Sequence, residues 1–558
     1  MLLLRGLNAR PVRAAAHARR CLGASRAMAR GAPLRANRRG ASIASVGRRP
    51  SSGGTAGAAR EQYAVAEQYA VPLELARSMF QERFPSGSTK LDLRVTECGR
   101  GLVATAPIVE GEALLSVPWE ETIHVMEDGY DDPDDVRLAM ELLRVLNHGG
   151  DGDEDPRVPV WARYRPMLPT STGAAAFWRP ENIRELQFEE AVDKTSALSM
   201  KFNEYALRHA DQKNPTKDIM WALAMVHSRS FSVCTPAGRA RVLVPYADLF
   251  NHRPESPAEA RRTDEALQCA LAATVEVDGI QDAGSEPWRV IGLGKPGSES
   301  GGSFQMRSIW SFEPGEEVFI TYGHETSAEL LSSYGFFPDP NAGDFVTVYR
   351  DVQEVLDDDR WVEDHSPGLA MEKESVMWNM LAVEAPLAVR PGGVAAAAHL
   401  LGCLRLMHAQ GSVLGDLRDR DVPHIGHSTF VWSEGAPCGL WDAGRASAGE
   451  EEEGRGAVLT LDLAAETRAA VDAAAMGQAA ARCLEILDDF PTTIEEDEEM
   501  LRELEAAFAS EEKEDEDEEY DPGPEEYATA LRYRLTVKRM LANFVAECES
   551  MGVSPSEW

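Results

Sequence analysis

Residues 91–118 read LDLRVTECGRGLVATAPIVEGEALLSVP, short β-rich runs parted by glycine-bearing turns. That text predicts a meander of small strands. It sets a β-rich part ahead of a helical stretch. After the acidic turn at 131–135, Val136, Ala139, Met140, Leu143 and Leu146 form an amphipathic stripe that ends at Gly149 and Gly150. Helical patterns continue through 181–231, including DIMWALAMVHSRSF. The strand signal returns at 241–244, a Gly/Ser/Pro-rich loop follows at 279–303, and EEVFITYG at 316–323 reads as a strand running into a turn. AELLSSYGFF, 328–337, is one or two helical turns stopped by Gly335, where a left-handed cap is usual. Beyond about 365 the pattern is helical and Ala/Leu-rich, with acidic low-complexity runs at 449–453 and 511–526 that cannot bury enough apolar area to fold. The expected fold class is α+β.

A chain of 558 residues has room for several domains. Its first sixty residues hold thirteen arginines and no Asp, Glu or Lys, the composition of an organelle transit peptide. The near-repeat EQYAVAEQYAV at 61–71 leads into a first helix within 61–90. Taking the thirteen leader arginines from the formal charge of −36 leaves −49 on the remainder, which a nucleic-acid backbone would repel. The eight cysteines form no C-x-x-C and no zinc-finger spacing, so neither structural zinc nor a disulfide framework is expected. No apolar run approaches the roughly 18 residues of a membrane span.

The segment VPYADLFNHRP, 244–254, brings Asp248, Asn251 and His252 together just after an apolar run. Asp248 and His252 stand four apart, as a metal pair could. Zinc needs at least one more ligand, and neither H-E-x-x-H nor a cysteine pair supplies it, so no metal is expected. From these residues alone, a turn cap with a buried histidine and the wall of a ligand pocket both remain open.

Four motifs stand in a fixed order: GRGLVATAPIVEGEALLSVP, HSRSFSV, VPYADLFNH and GEEVFITYGHETSAELLSSYGFF. Together, over about 90–340, they resemble the SET-domain protein methyltransferases of the Rubisco large-subunit lysine methyltransferase branch. DDFPTTIEEDEEMLREL and YATALRYRLTVKRMLANFV resemble the helical Rubisco-substrate-binding-type domain that follows in that branch. The resemblance implies a SET domain at 91–340, with a pseudoknot and a helical insertion at about 130–230. An all-α domain would follow at 365–550.

It also implies an S-adenosyl-L-methionine-dependent protein-lysine N-methyltransferase for a non-histone protein, held in the SET cleft and by the helical domain of a monomer. Methyl transfer from a sulfonium is an in-line displacement, so positioning is most of the task. The acceptor amine must be neutral, and a nearby sulfonium lowers its pKa. By residue-for-residue carry-over, Tyr322 is the catalytic tyrosine that orients the lysine amine. Gly99, Gly101, Glu112 and Leu114 approach the donor. Arg229 pairs with its carboxylate, Asn251 grips its amino-acid end, His252 meets adenine through its backbone, Asp248 braces the slot, and Phe336 packs on adenine. Ser228, Phe231, Ala247, Asp248, Tyr322 and Tyr334 line the substrate side.

The link GHETSAELLSS is one residue shorter than the family pattern, and the loop from Arg253 to Ser303 is longer. Ala247 and Phe231 leave room for an aliphatic lysine stem and offer little to an imidazole, which favours lysine over the histidine acceptors of a related branch. A non-catalytic binding scaffold is the rival from another class. The arginine-rich leader fits import into a plastid, as the resemblance implies, or into a mitochondrion.

Overall fold

The computed structural model describes residues 68–85, 87–96, 98–127, 132–147, 155–235, 237–253, 288–291, 302–323, 325–357, 387–409, 429–432, 458–461, 465–510 and 523–554. The expected leader at 1–60, most of the 253–303 loop and the acidic runs at 449–453 and 511–522 lie outside them.

The first strands follow the sequence only in part. Leu91–Thr96 and Gly99–Ala104 pair antiparallel, with Thr96 opposite Gly99. Ala113–Pro118 then departs from a simple meander. It pairs with Ser303–Arg307, which in turn pairs with Trp288–Ile291. A third sheet places Gly238–Leu243 between Ile123–Met126 and Ser230–Thr235. Partners this distant cannot be read from local alternation, because alternation sets the face of a strand and not its neighbour.

Residues 316–322 are a further departure from the expected strand. They make isolated bridges, Glu317 to Val103 and Ile320 to His252, rather than a ladder. On one side Val318 N donates to Leu102 O at 2.7 Å and Glu316 O accepts from Ala104 N at 2.8 Å. On the other side Ile320 N donates to Asn251 O at 3.0 Å and Arg253 N to Ile320 O at 2.9 Å. One short segment therefore ties 102–104 to 251–253.

The helix at Asp134–Asn147 buries Leu138, Leu142 and Val145 beside the expected Val136, Ala139 and Leu143. Its apolar face is wider than the sequence stripe because the helix Thr216–Arg229 and the strand Ile123–Met126 both pack on it. Buried side chains gather in two cores. One joins residues 76–168 to 202–250 and 304–320. The other joins 175–191 and 330–356 to 387–409, 471–490 and 530–553. The helix Glu189–His209 belongs to both, giving Ala191 to the second core and Phe202 and Ala206 to the first.

The described part of the C-terminal region is mainly helical, at Ala398–His408, Ala465–Asp489, Ile494–Ser510 and Gly523–Ser550. It also holds strands: Val346–Tyr349 pairs with Leu387–Val389, and Thr429–Trp432 runs parallel to Val458–Leu461. The acidic composition placed 523–526 in a loop, yet they open the last helix. Glu525 and Glu526 sit in its first turn, where negative charge complements the helix dipole.

The short helix Ser327–Tyr334 follows its sequence signals. Thr326 and Glu329 form a reciprocal capping box, and Gly335 ends it at φ +86°. A β-carbon on Gly335 would overlap the Gly173 carbonyl carbon and lie 2.5 Å from Ala174 N. Gly335→Ala is expected to cost at least about 2 kcal/mol, from left-handed strain plus a backbone clash. Chemical denaturation with an unshifted midpoint would contradict that account of the cap.

Candidate functional site

After Leu243 the chain bends through Tyr246, which lies in the left-handed region at φ +71° and packs against Phe80, Phe84 and Tyr164. The bend opens a single 3-10 turn, Ala247–Leu249. Its Asp248 carboxylate is buried, accepts from the Tyr164 hydroxyl, and meets Arg229 Nη1 at 3.2 Å. Arg229 Nη1 also reaches Asp248 O at 3.2 Å. Burial pushes the Asp248 carboxyl up, opposed by the Arg229 guanidinium. Asp248 thus braces the turn. Arg229, the last residue of its helix and itself buried, directs its guanidinium to Asp248.

The turn delivers Asn251 and His252 to the segment 316–322. Asn251 Nδ2 donates to Glu317 Oε1 at 2.7 Å and to Arg100 O at 3.2 Å. The buried His252 accepts at Nδ1 from the backbone N–H of Tyr322 at 3.0 Å, so its other nitrogen carries the proton in the neutral ring. Among the described residues no cluster of three His, Cys, Asp or Glu side chains could hold a metal.

Four rings surround this point. Tyr322 lies 5.1 Å from His252 and stacks on Tyr334 at 4.8 Å. Phe336 stands 6.1 Å from His252 and 6.2 Å from both Tyr322 and Tyr334. The Tyr322 hydroxyl donates to Phe250 O at 2.8 Å, which leaves its lone pairs as acceptors. Burial, with the Glu325 carboxylate adding to it, pushes Tyr334 up to about 12, so that phenol is neutral near pH 7.

The structure therefore brings Gly101, Asn251, His252, Tyr322, Tyr334 and Phe336 together. The other candidates make contacts of their own. Glu112 pairs with Lys90 at 2.6 Å and accepts from Val109 N at 3.1 Å, and Leu114 is a core residue. Gly99 begins a strand at φ +95°. Ser228 donates to Ala224 O within its helix. Phe231 packs on Phe304 at 5.2 Å, and Ala247 is fully buried in the core on which Tyr322 rests.

Sequence reasoning missed Glu317 and Tyr164. The only sequence trace of Glu317 is the glycine opposite it. A β-carbon on Gly101 would overlap Glu317 Oε1 and come within 2.8 Å of Asn251 Nδ2.

No protein-family model matches the chain. Its curated relatives include two chloroplastic Rubisco large-subunit N-methyltransferases. The chloroplastic Rubisco large-subunit N-methyltransferase of Nicotiana tabacum is 26% identical over 276 residues, 46% of this chain and 49% of that protein. The chloroplastic [fructose-bisphosphate aldolase]-lysine N-methyltransferase of Arabidopsis thaliana is 27% identical over 274 residues, 45% of this chain and 48% of that one. The chain thus spans about half the length of the curated relatives it matches. A solved SET domain of LSMT, bound to lysine and AdoHcy, overlays with a TM-score of 0.46 at 19% identity, covering 87% of this chain and 92% of that one.

Proposed function

We propose that this chain is an S-adenosylmethionine-dependent protein-lysine N-methyltransferase acting on a non-histone protein in the plastid. The observation that carries the reading is the cluster of His252, Tyr322, Tyr334 and Phe336 beside the half-buried Asn251. Among the described residues nothing donates to Asn251 Oδ1, so a cationic amino group on a ligand fits there. Phe336 offers an aromatic face for a purine. S-adenosylmethionine supplies an electrophilic methyl group on a sulfonium.

The protein's part is orientation. Tyr322, its hydroxyl hydrogen committed to Phe250 O, presents lone pairs that accept an N–H of a neutral amine and aim the amine lone pair. Tyr334 stacks behind it and limits how the ring can swing. Asp248 and Arg229 hold the turn that sets Asn251 and His252 in place. The apolar Phe231 and Ala247 support a lysine stem rather than an imidazole. The C-terminal helices contribute to holding the protein substrate. Two findings support the plastid: the relatives named above are chloroplastic, and the first sixty residues are rich in arginine and free of acid.

At a concentration one hundred times its dissociation constant, S-adenosylmethionine should stabilise the chain by about 2.7 kcal/mol. An unmoved thermal midpoint favours the scaffold reading instead. Incubation with labelled donor and plastid extract, followed by mass spectrometry of the product, tests the reaction. Label on histidine alone would refute the lysine assignment.

A further inference from the structure

A carboxamide offers two N–H donors on one side and a carbonyl acceptor on the other. In Asn251 both donors are engaged, with Glu317 Oε1 at 2.7 Å and Arg100 O at 3.2 Å. Rotating the amide by half a turn would set its oxygen against a carboxylate and a carbonyl. The carboxylate thus holds Oδ1 in one direction, and its hydrogen bond is of the stronger, charge-assisted kind.

Two further features place Glu317 there. Its backbone is set by the bridge to Val103 and by the flanking bonds of Glu316 to Ala104 and Val318 to Leu102. Gly101 leaves the space: its φ is not positive, so glycine is required here for the closeness of Glu317 and Asn251 rather than for backbone conformation.

We propose that Glu317 is a positioning residue for cofactor binding: it fixes the Asn251 carboxamide so that Oδ1 meets the amino group of S-adenosylmethionine. The inference rests on the function proposed above. Glu317→Ala frees the amide to rotate. Glu317→Gln keeps an acceptor at the same reach without charge. Glu317→Asp keeps the charge and withdraws it by one methylene.

Isothermal titration with S-adenosylhomocysteine, on chains whose circular dichroism matches the parent, tests the proposal. Glu317→Ala and Glu317→Asp should each bind about tenfold more weakly, the size of one hydrogen bond to a charged group, and Glu317→Gln within about threefold of the parent. In an Asn251→Ala background, Glu317→Ala should add no further loss, since two residues acting as one unit are not additive. Parent-like affinity in Glu317→Ala overturns the inference. So does a full additional loss in the double variant, or a Glu317→Gln as weak as Glu317→Ala, because either means that the carboxylate meets the ligand itself. If Glu317→Ala does not fold, Glu317→Asp and Glu317→Gln decide by the same comparison. Absence of binding in the parent overturns the proposed function itself, and this inference with it.

Discussion

Tyr322→Phe is expected to lower methyl transfer by about 10²-fold while the protein stays folded. The ring that remains still stacks on Tyr334 and still stands beside His252 and Phe336, so the cluster keeps its packing. Only the hydroxyl is lost, and with it a neutral hydrogen bond to Phe250 O that contributes roughly 0.5–1.5 kcal/mol to stability. The larger consequence is kinetic. An in-line displacement depends on an amine lone pair aimed at the methyl carbon, and misplacement by about 1 Å costs on the order of 10²-fold. Initial rates with labelled donor, compared at saturating donor and substrate, should fall without a matching change in donor affinity. A Tyr322→Phe chain that methylates as fast as its parent rules out the proposed role of the phenol.

Asp497→Ala should be the most damaging single change to stability away from that site. Asp497 is fully buried, with Arg534 Nη2 at 2.7 Å and Lys538 Nζ at 2.6 Å, and both cations are 1% exposed. Thr492 Oγ1 donates to the same carboxylate at 2.7 Å. Arg534 also reaches Glu185 Oε2 at 2.8 Å, so the cluster joins the last helix to the segment before Glu189–His209. Truncation leaves two buried positive charges without their central anion, and breaking such a set typically costs about 3–5 kcal/mol. Denaturant unfolding of the variant should lose that much, and a loss under about 1 kcal/mol would refute the clamp.

The pH dependence has a definite sign. Burial pushes the Asp497 carboxyl up, but the hydrogen bonds from Arg534 and Lys538 outweigh it and hold the pKa below the usual carboxylate range. A depressed folded pKa stabilises above the unfolded value, near 3.9, and that stability is lost as pH falls through the lower folded value. The difference between parent and Asp497→Ala should therefore be complete at neutral pH and shrink in acid.

Local signals were legible where a few neighbouring residues settle the conformation. Gly335 ends its helix because the chain there turns left-handed, as the glycine after AELLSSY implied. The order of motifs pointed to Asn251, His252, Tyr322, Tyr334 and Phe336, and the fold gathers these five at one place. Charged groups were much less legible. Glu112 pairs with Lys90 and Arg229 with Asp248, partners that no local pattern in the sequence names. Nothing in I-E-E-D-E-E separates Asp497 from its acidic neighbours, although it alone among them is fully buried.

Periodicity, caps and turns act over a few residues, so the sequence by itself determined the α+β class, the helix Asp134–Asn147 and the cap at Gly335. Pairings that close long loops depend on which distant segment arrives, and only the tertiary structure decided them. Ala113–Pro118 takes Ser303–Arg307 as its neighbour, Glu317 meets Asn251 across Gly101, and Asp497 meets Arg534 and Lys538. A charged side chain has little preference until it is desolvated, and its partner is then whichever opposite charge or dipole the packed core leaves within reach.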